Sequence, residues 1–452
     1  MSAEASAVPP VSPYPPTLGA TAAEAVAGTP AATRRLMSLD ALRGFDMFWI
    51  IGADSLVSAL DHMSRAPGEA RHGLIGFIAM ELEHCEWAGF HFEDLIFPLF
   101  LFIIGVSLVF SLGKHLRQEG RGAAVKRLVR RTVLMFVVAL FYYGGFANHW
   151  PDIRLLGVLQ RLALGYCAAG LCFCFFRPRT MGIICAGLLI GYWALMTFAP
   201  IRDVQLQEAP LKKLAAERGL PFHLASDFKS GAEARETQVR EAKPLFYGVT
   251  NYVSGKFEPG LNLCNHVDFQ YLPGKKWDTF FDPEGYLSTL PAIATCLLGV
   301  FAGLLLANGS LRDTQKVIYL VMAGFVLVSL GWAWSIQFPV VKKIWTSSFV
   351  FVAGGYSALL LAAFYWIVDI AGFKGWCQPF VWMGMNSITI YLLHSIMSEF
   401  EPLSQRLAGG DVHDFLERQM RGSGDLLLAL AGLAIAFWIV HFLYRRRIFL
   451  RL

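Results

Sequence analysis

The chain has 452 residues, of which 55% are hydrophobic and only 16% charged, and its net charge is +5. Soluble domains carry about 25% charged residues, so this balance, together with many apolar runs of about 20 residues, excludes an ordinary soluble protein and points to a polytopic membrane protein. The basic residues sit in short loops between apolar runs and read as topology signals, not as nucleic-acid contacts.

Residues 1–33 are rich in Ala, Pro, Ser and Thr and lack the basic and apolar regions of a cleaved signal peptide. They are expected to form a disordered cytoplasmic tail, with the first membrane helix acting as an uncleaved signal. About ten apolar spans follow, at 41–60, 94–113, 132–147, 155–176, 180–199, 285–306, 316–336, 346–369, 377–397 and 424–443. The expected fold is therefore all-α, a membrane bundle of about ten transmembrane helices. Residues 34–199 hold the first five spans, with an outer loop at 61–93; residues 200–284 form an extracytoplasmic insert; residues 285–452 hold the rest. Arg34, Arg35, Lys114, Arg117, Arg121, Lys126, Arg127, Arg130 and Arg131 fall on one side of that arrangement. Arg177, Arg179, Arg312, Lys316, Lys374 and Arg445–Arg447 fall on the same side, so both termini are expected in the cytoplasm of a cell with the chain in its inner membrane. Lys342 and Lys343 are exceptions, on the opposite side. The insert, polar and mixed in charge, is too long for a plain connection and is expected to be a lid or substrate-contacting cap.

Residues 82–105, LEHCEWAGFHFEDLIFPLFLFIIG, run a histidine and several carboxylates straight into an apolar span. Ionisable groups at membrane depth are costly and rarely lack a role, and histidine exchanges a proton near neutral pH. His84 is either an interfacial side chain or a candidate catalytic group for proton or acyl chemistry, flanked by carboxylates (Glu83, Glu86 and Asp94) able to orient its ring and stabilise its charged form. Trp87 follows it in an HxxW spacing. A metal held by His84, Glu86, His91 and Asp94 is conceivable, but the spacing fits no zinc pattern, and no metal is expected.

Other spans carry polar groups as well. Arg43 and Asp54 lie about 20° apart around one helix and Asp46 about 60° away, which suits either an ion network between helices or a charged face on an internal cavity. Gln160 and Arg161 are too deep to snorkel, so Arg161 needs an internal carboxylate, a carbonyl or an anionic ligand. Asp282 and Glu284, around Pro283, precede or occupy the first turn of the sixth span, where carboxylates are favourable. Ser387 and His394 share one face of the ninth span, about 20° apart, with Asn386 some 80° away, and these either stitch helices or bind ligand. Cys85 and Cys264 both fall in segments outside the membrane, which allows a disulfide between them.

The motifs RLMSLDALRGFDM (35–47), EHCEWAGFHFEDLIFPLFLFIIGVS (83–107), LLGVLQRL (155–162), FDPEGYLSTLPAI (281–293), GMNSITIYLLH (384–394) and YRRRIF (444–449) occur in this order. As a set the chain resembles the heparan-α-glucosaminide N-acetyltransferase family and its bacterial relatives, the transmembrane acyltransferases. The insert is similar to that of bacterial members linked to N-acetylglucosamine use. The resemblance implies acetyl transfer from cytoplasmic acetyl-CoA to an amino sugar on the far side, with His84 as the family's outer-loop histidine, Asp94 as the aspartate after it, Arg161 as the arginine of GVLQRL, and Asn386 and Ser387 in GMNS. Cys85 and Glu86 stand where the animal enzyme has small residues. The implied partners are acetyl-CoA, an amino-sugar acceptor and the lipid bilayer, with a homodimer allowed. The rival reading is a secondary transporter of N-acetylglucosamine or a related amino sugar, in which Asp46, Asp54 and Arg161 couple protons or hold solute.

Overall fold

The computed structural model describes residue 21 and residues 36–65, 73–147, 149 and 152–450. The tail expected over 1–33 lies outside the described residues, apart from Thr21. The chain is an all-α bundle of a multi-pass membrane protein, and seven of its described helices are long and apolar enough to cross a bilayer. The elements run in chain order as α1 (Met37–Ser64), α2 (Gly73–Glu81), α3 (Phe92–Tyr142), α4 (Val158–Phe175) and α5 (Pro178–Phe198). The segment that follows contains α6 (Glu208–Arg218), α7 (Gly231–Tyr247) and α8 (Leu263–Tyr271). The bundle resumes with α9 (Thr289–Ala307), α10 (Asp313–Trp334) and α11 (Ser347–Phe364), then α12 (Gln378–Met385), α13 (Ser387–Ile396), α14 (Glu401–Ala408), α15 (Asp411–Gln419) and α16 (Ser423–Arg445).

Two departures from a simple row of spans have local causes. A straight helix as long as α3 would run about 75 Å, far beyond the roughly 30 Å of hydrocarbon. Gly120, with φ 83° and ψ 174°, breaks it into two limbs that take the second and third expected spans. The ninth expected span is likewise two helices, α12 and α13, parted at Asn386 (φ −119°, ψ 22°). The amide of Asn386 donates to the Trp382 carbonyl at 3.2 Å, closing the end of α12. Just before the break, Gly384 lies against α1: a Cβ there would overlap the Asp40 carbonyl oxygen, and one on Gly44 would overlap that of Phe380. Only glycines allow backbones to approach this closely, as small residues do between membrane helices.

Burial sorts the helices. The most apolar stretch of α3 is 72% buried, and those of α4, α9 and α11 are 61–67% buried, whereas in α5, α10 and α16 only 17–28% is covered. The first group forms the centre, and the second keeps its apolar surface for lipid. Residues 200–284 contain more regular structure than a plain loop. The short strands β1 (Ile201–Arg202) and β2 (Tyr252–Val253) pair antiparallel, and Leu206, Leu211, Leu245, Phe246, Phe269 and Phe280 form a separate small core.

Candidate active site

The loop Leu82–His91 leads into α3 and is tied down at its end by one carboxylate. Asp94 Oδ2 accepts the backbone N–H groups of Cys85 (3.2 Å) and His91 (3.1 Å). This use of an acid in the first helical turn satisfies donors that the helix cannot. The other oxygen, Oδ1, is 3.2 Å from Nδ1 of His84. Asp94 is 1% exposed and fixed, whereas the His84 side chain is 57% exposed, so the ring is held at one edge and open at the other. His91 is held separately: its Nδ1–H donates to the Glu83 carbonyl at 2.9 Å.

A third group meets these two. Lys342 Nζ lies 3.1 Å from Nδ1 and 3.3 Å from Nε2 of His84, and 3.5 Å from Asp94 Oδ1. The loop and the lysine's segment are joined through the backbone: Gly89 N–H donates to Val340 O at 2.9 Å, and Ala88 bridges to Val341. Burial pulls the lysine's pKa down, and the carboxylates of Asp94 and Glu93 push back. The thiol of Cys85 beside them is pushed up to about 12 by burial and by Asp94.

From this cluster a cavity of about 660 Å³ runs into the bundle. Its walls come from α1, both limbs of α3, α4 and α13. One end holds His84, Asp94, Lys342 and Trp277, and the wall also includes Ser107, Ser111 and Arg131. Asp94 and Ser111 share one helical limb, so those ends are about 25 Å apart by helical rise. Arg43 also faces the cavity, donates to Ser107 Oγ and lies 3.5 Å from Asp40. Arg131 lies over the Tyr166 ring at 5.0 Å. The cavity thus has a histidine and its partners at one end and two guanidiniums with two hydroxyls further along.

Beside the histidine end sits a buried ion cluster. Arg154 makes a two-pronged contact with Asp282 (3.0 and 2.7 Å) and reaches Glu284 at 2.6 Å. Its guanidinium is stacked between the rings of Tyr143 (4.8 Å) and Trp277 (5.1 Å). Burial works against the charge of Arg154, but the bonds to Asp282 prevail and hold its pKa above the ordinary value.

The structure separates the residues singled out from the sequence into several groups. His84, Asp94, Arg43, Asp54, Glu284 and Ser387 line the one cavity. Asp46 turns away into packing, fully buried, with neither carboxylate oxygen hydrogen-bonded. Gln160 is also fully buried, and its amide makes no hydrogen bond. Arg161 meets no ligand space: it donates to Pro283 O (2.7 Å) and to Ser288, and lies 4.9 Å over the ring of Trp345, which lines the cavity. Glu83 is exposed and offers His91 its backbone carbonyl. Trp87 ties the loop to the insert through Nε1–H to Phe257 O at 2.7 Å. His394 packs edge-on against Phe400 at 5.8 Å, and the break at Asn386 takes that amide off the Ser387 face.

The helix of the sixth span begins at Thr289, so Asp282 and Glu284 precede its first turn, as one of the two expected placements has it, and both bind Arg154. The disulfide that the sequence allowed is absent. All eight cysteines are free thiols: Cys264 is buried against Tyr192 while Cys85 stays at the loop, so the two do not pair. Sequence reasoning assigns no site role to Lys342, Glu93, Arg131 or Arg154, although each faces the cavity. For Lys342 a signal existed: with Lys343 it stands apart from the side that the short basic loops are expected to share. Cys85, His91 and Asp94 bring possible metal-ligand atoms within 4.8 Å of one another. Lys342 Nζ lies 3.5 Å from Oδ1 of that carboxylate, whose Oδ2 already accepts two backbone N–H groups.

The chain is 25% identical over 391 residues to the heparan-alpha-glucosaminide N-acetyltransferase of Mus musculus, covering 81% of this chain and 56% of that protein. It is 24% identical over 407 residues to the protein of the same name from Homo sapiens, covering 81% of this chain and 55% of that one. The relationship is at family level, and the chain spans little more than half the length of these curated relatives. No family model matches it.

Proposed function

We propose that this multi-pass membrane protein is an acetyltransferase that takes an acetyl group from acetyl-CoA and passes it across the bilayer to an amino sugar. The observation that carries the reading is the cavity joining His84, Asp94 and Lys342 to Arg43 and Arg131. A long thioester with an anionic end suits such a space: the phosphates lie toward the guanidiniums, and the acyl end reaches the imidazole. In this reading both termini and the Arg131 end face the cytoplasm, the membrane is the inner membrane, and His84 faces outward beside the insert.

The chemistry follows from the site. The acceptor amine must lose a proton as it attacks the thioester carbon, and an unprotonated ring nitrogen of His84 serves as the base. The same nitrogen can instead take the acetyl group first and give it up to the amine in a second step. Asp94 fixes the ring in either route. The acceptor approaches from the side of the insert, where Trp277, Arg154 and Glu284 edge the cavity and offer an aromatic face and charged groups to a sugar bearing an amine. The similarity of the chain to curated N-acetyltransferases supports the reaction class.

The direct test is transfer from acetyl-CoA to glucosamine by purified protein in lipid nanodiscs, wild type against His84→Ala. Loss of at least about 100-fold in the folded variant is expected for a catalytic base or nucleophile. Equal turnover by the two proteins would end the claim for His84. Release of CoA with acceptor omitted would identify the two-step route.

A further inference from the structure

We infer that Lys342 is a catalytic residue for the same reaction, its ammonium stabilising the negative charge that forms on the acetyl carbonyl oxygen. This rests on the acetyl-transfer reading. When a ring nitrogen of His84 bonds to the thioester carbon, the C=O electron pair moves onto oxygen. That oxygen is attached to the carbon now bonded to the ring. Nζ of Lys342 is already 3.1 and 3.3 Å from the two ring nitrogens, so a rotation about the new N–C bond can bring the oxygen, two bonds from the ring, within hydrogen-bond reach of the ammonium. The oxyanion then collapses, the C–S bond breaks, and the CoA thiolate takes the ring N–H proton, leaving acetyl on His84.

The lysine is held for this task and not merely located near it. Lys342 opens a closed turn in which Trp345 N–H donates to Lys342 O (2.9 Å) and Thr346 N–H to Val341 O (3.2 Å). Thr346 Oγ1 receives Val341 N–H (3.1 Å) and Phe349 N–H (3.3 Å), pinning the turn to the start of α11. Trp345 holds a left-handed φ of 50°, and its Nε1–H donates to Thr295 Oγ1 at 3.1 Å. The contact with Asp94 at 3.5 Å and the backbone link from Gly89 to Val340 fix the ammonium relative to His84. A donor placed before charge develops needs no rearrangement when it does, which is the source of this kind of catalysis. Arg161 gives one guanidinium nitrogen to Pro283 O and Ser288, leaves Nε and Nη1 without a hydrogen bond beside the Trp345 ring, and is not among the residues that line the cavity.

The test compares Lys342→Met, Lys342→Gln and Lys342→Arg with wild type in nanodiscs, reading the single-turnover transfer rate and acetyl-CoA affinity separately. The expected result for Met and Gln is a rate about 100- to 1,000-fold lower. Acetyl-CoA affinity is expected to stay within about threefold of wild type, because the charge is needed only in the transition state. Arg, which keeps the cation, is expected to retain at least about tenfold more activity than Gln. Rates for Gln within about threefold of wild type, a loss confined to affinity, or equal losses in Gln and Arg would each overturn the claim. Wild type that binds acetyl-CoA but transfers nothing would overturn the functional reading itself, and the lysine's role with it.

Discussion

Asp94 holds three things at once: the start of α3, the His84 ring and the Lys342 ammonium. Asp94→Asn keeps an oxygen for the two backbone donors but removes the negative charge that faces the His84 ring and the Lys342 ammonium. The expected outcome is transfer reduced by about 100-fold or more, with the protein still folded, read by activity and by thermal unfolding in detergent. Arg154→Met acts differently, because it leaves Asp282 and Glu284 buried without their cation. A loss of about 3–5 kcal/mol in stability is expected, measurable as a fall in unfolding temperature; an unchanged temperature would show that these carboxylates do not depend on Arg154. His84 and Asp94 were legible in the sequence because they stand close together at the edge of an apolar run. Lys342 was not, since its contact with His84 spans 258 positions along the chain and depends on how two loops pair. Arg161 was visible as a deep charge, but its partners are a carbonyl, a hydroxyl and a ring face, which no spacing announces.

Hydropathy located the helices well, yet it is blind to breaks within them. The eight residues of α12 and the ten of α13 have the same apolar character whether the helix continues or stops at Asn386. The break comes from close backbone contact at Gly384 and from the Asn386 side chain. Gly384→Ala would drive a methyl into the Asp40 carbonyl oxygen, and α12 must move off α1. A cost of about 1–3 kcal/mol is expected, with reduced transfer because α13, which begins with Ser387, follows α12 directly and is displaced with it; a variant as stable and active as wild type would contradict the close packing. In the insert, Asp268 of α8 is buried, accepts Tyr286 N–H at 3.0 Å and has its pKa pushed up to about 7, chiefly by burial. Asp282 nearby adds to the rise, while Arg161 and the backbone donors oppose it, and Lys276 also feels the charge. A folded pKa above the unfolded one means the native state binds its proton more tightly, so Asp268 costs stability as pH rises from about 4 to about 7. Asp268→Asn is expected to flatten this decline, seen as an unfolding temperature less dependent on pH across that window. An unaltered pH dependence would show that Asp268 is not its source.

At the scale of the molecule, composition was enough to indicate a membrane bundle, because charge is scarce and apolar runs are long. The cavity was only partly legible. Polar faces on α1 and at Ser387 marked two of its walls, but the contribution of both limbs of α3 depends on the turn at Gly120 and on which faces of the helices meet. The insert's small core and its link to Trp87 place it beside the histidine, which the sequence could suggest only through its length. The account as a whole requires that the donor enter from one face of the membrane and the acceptor be modified at the other. The decisive measurement is vectorial transfer in sealed proteoliposomes of determined orientation, with labelled acetyl-CoA on the Arg131 side and glucosamine on the His84 side. Labelled N-acetylglucosamine accumulating on the His84 side, dependent on His84 and absent when acetyl-CoA is supplied only to that same side, is the expected result. Transfer with donor and acceptor on one face alone, or sugar movement that needs no acetyl-CoA, would contradict it.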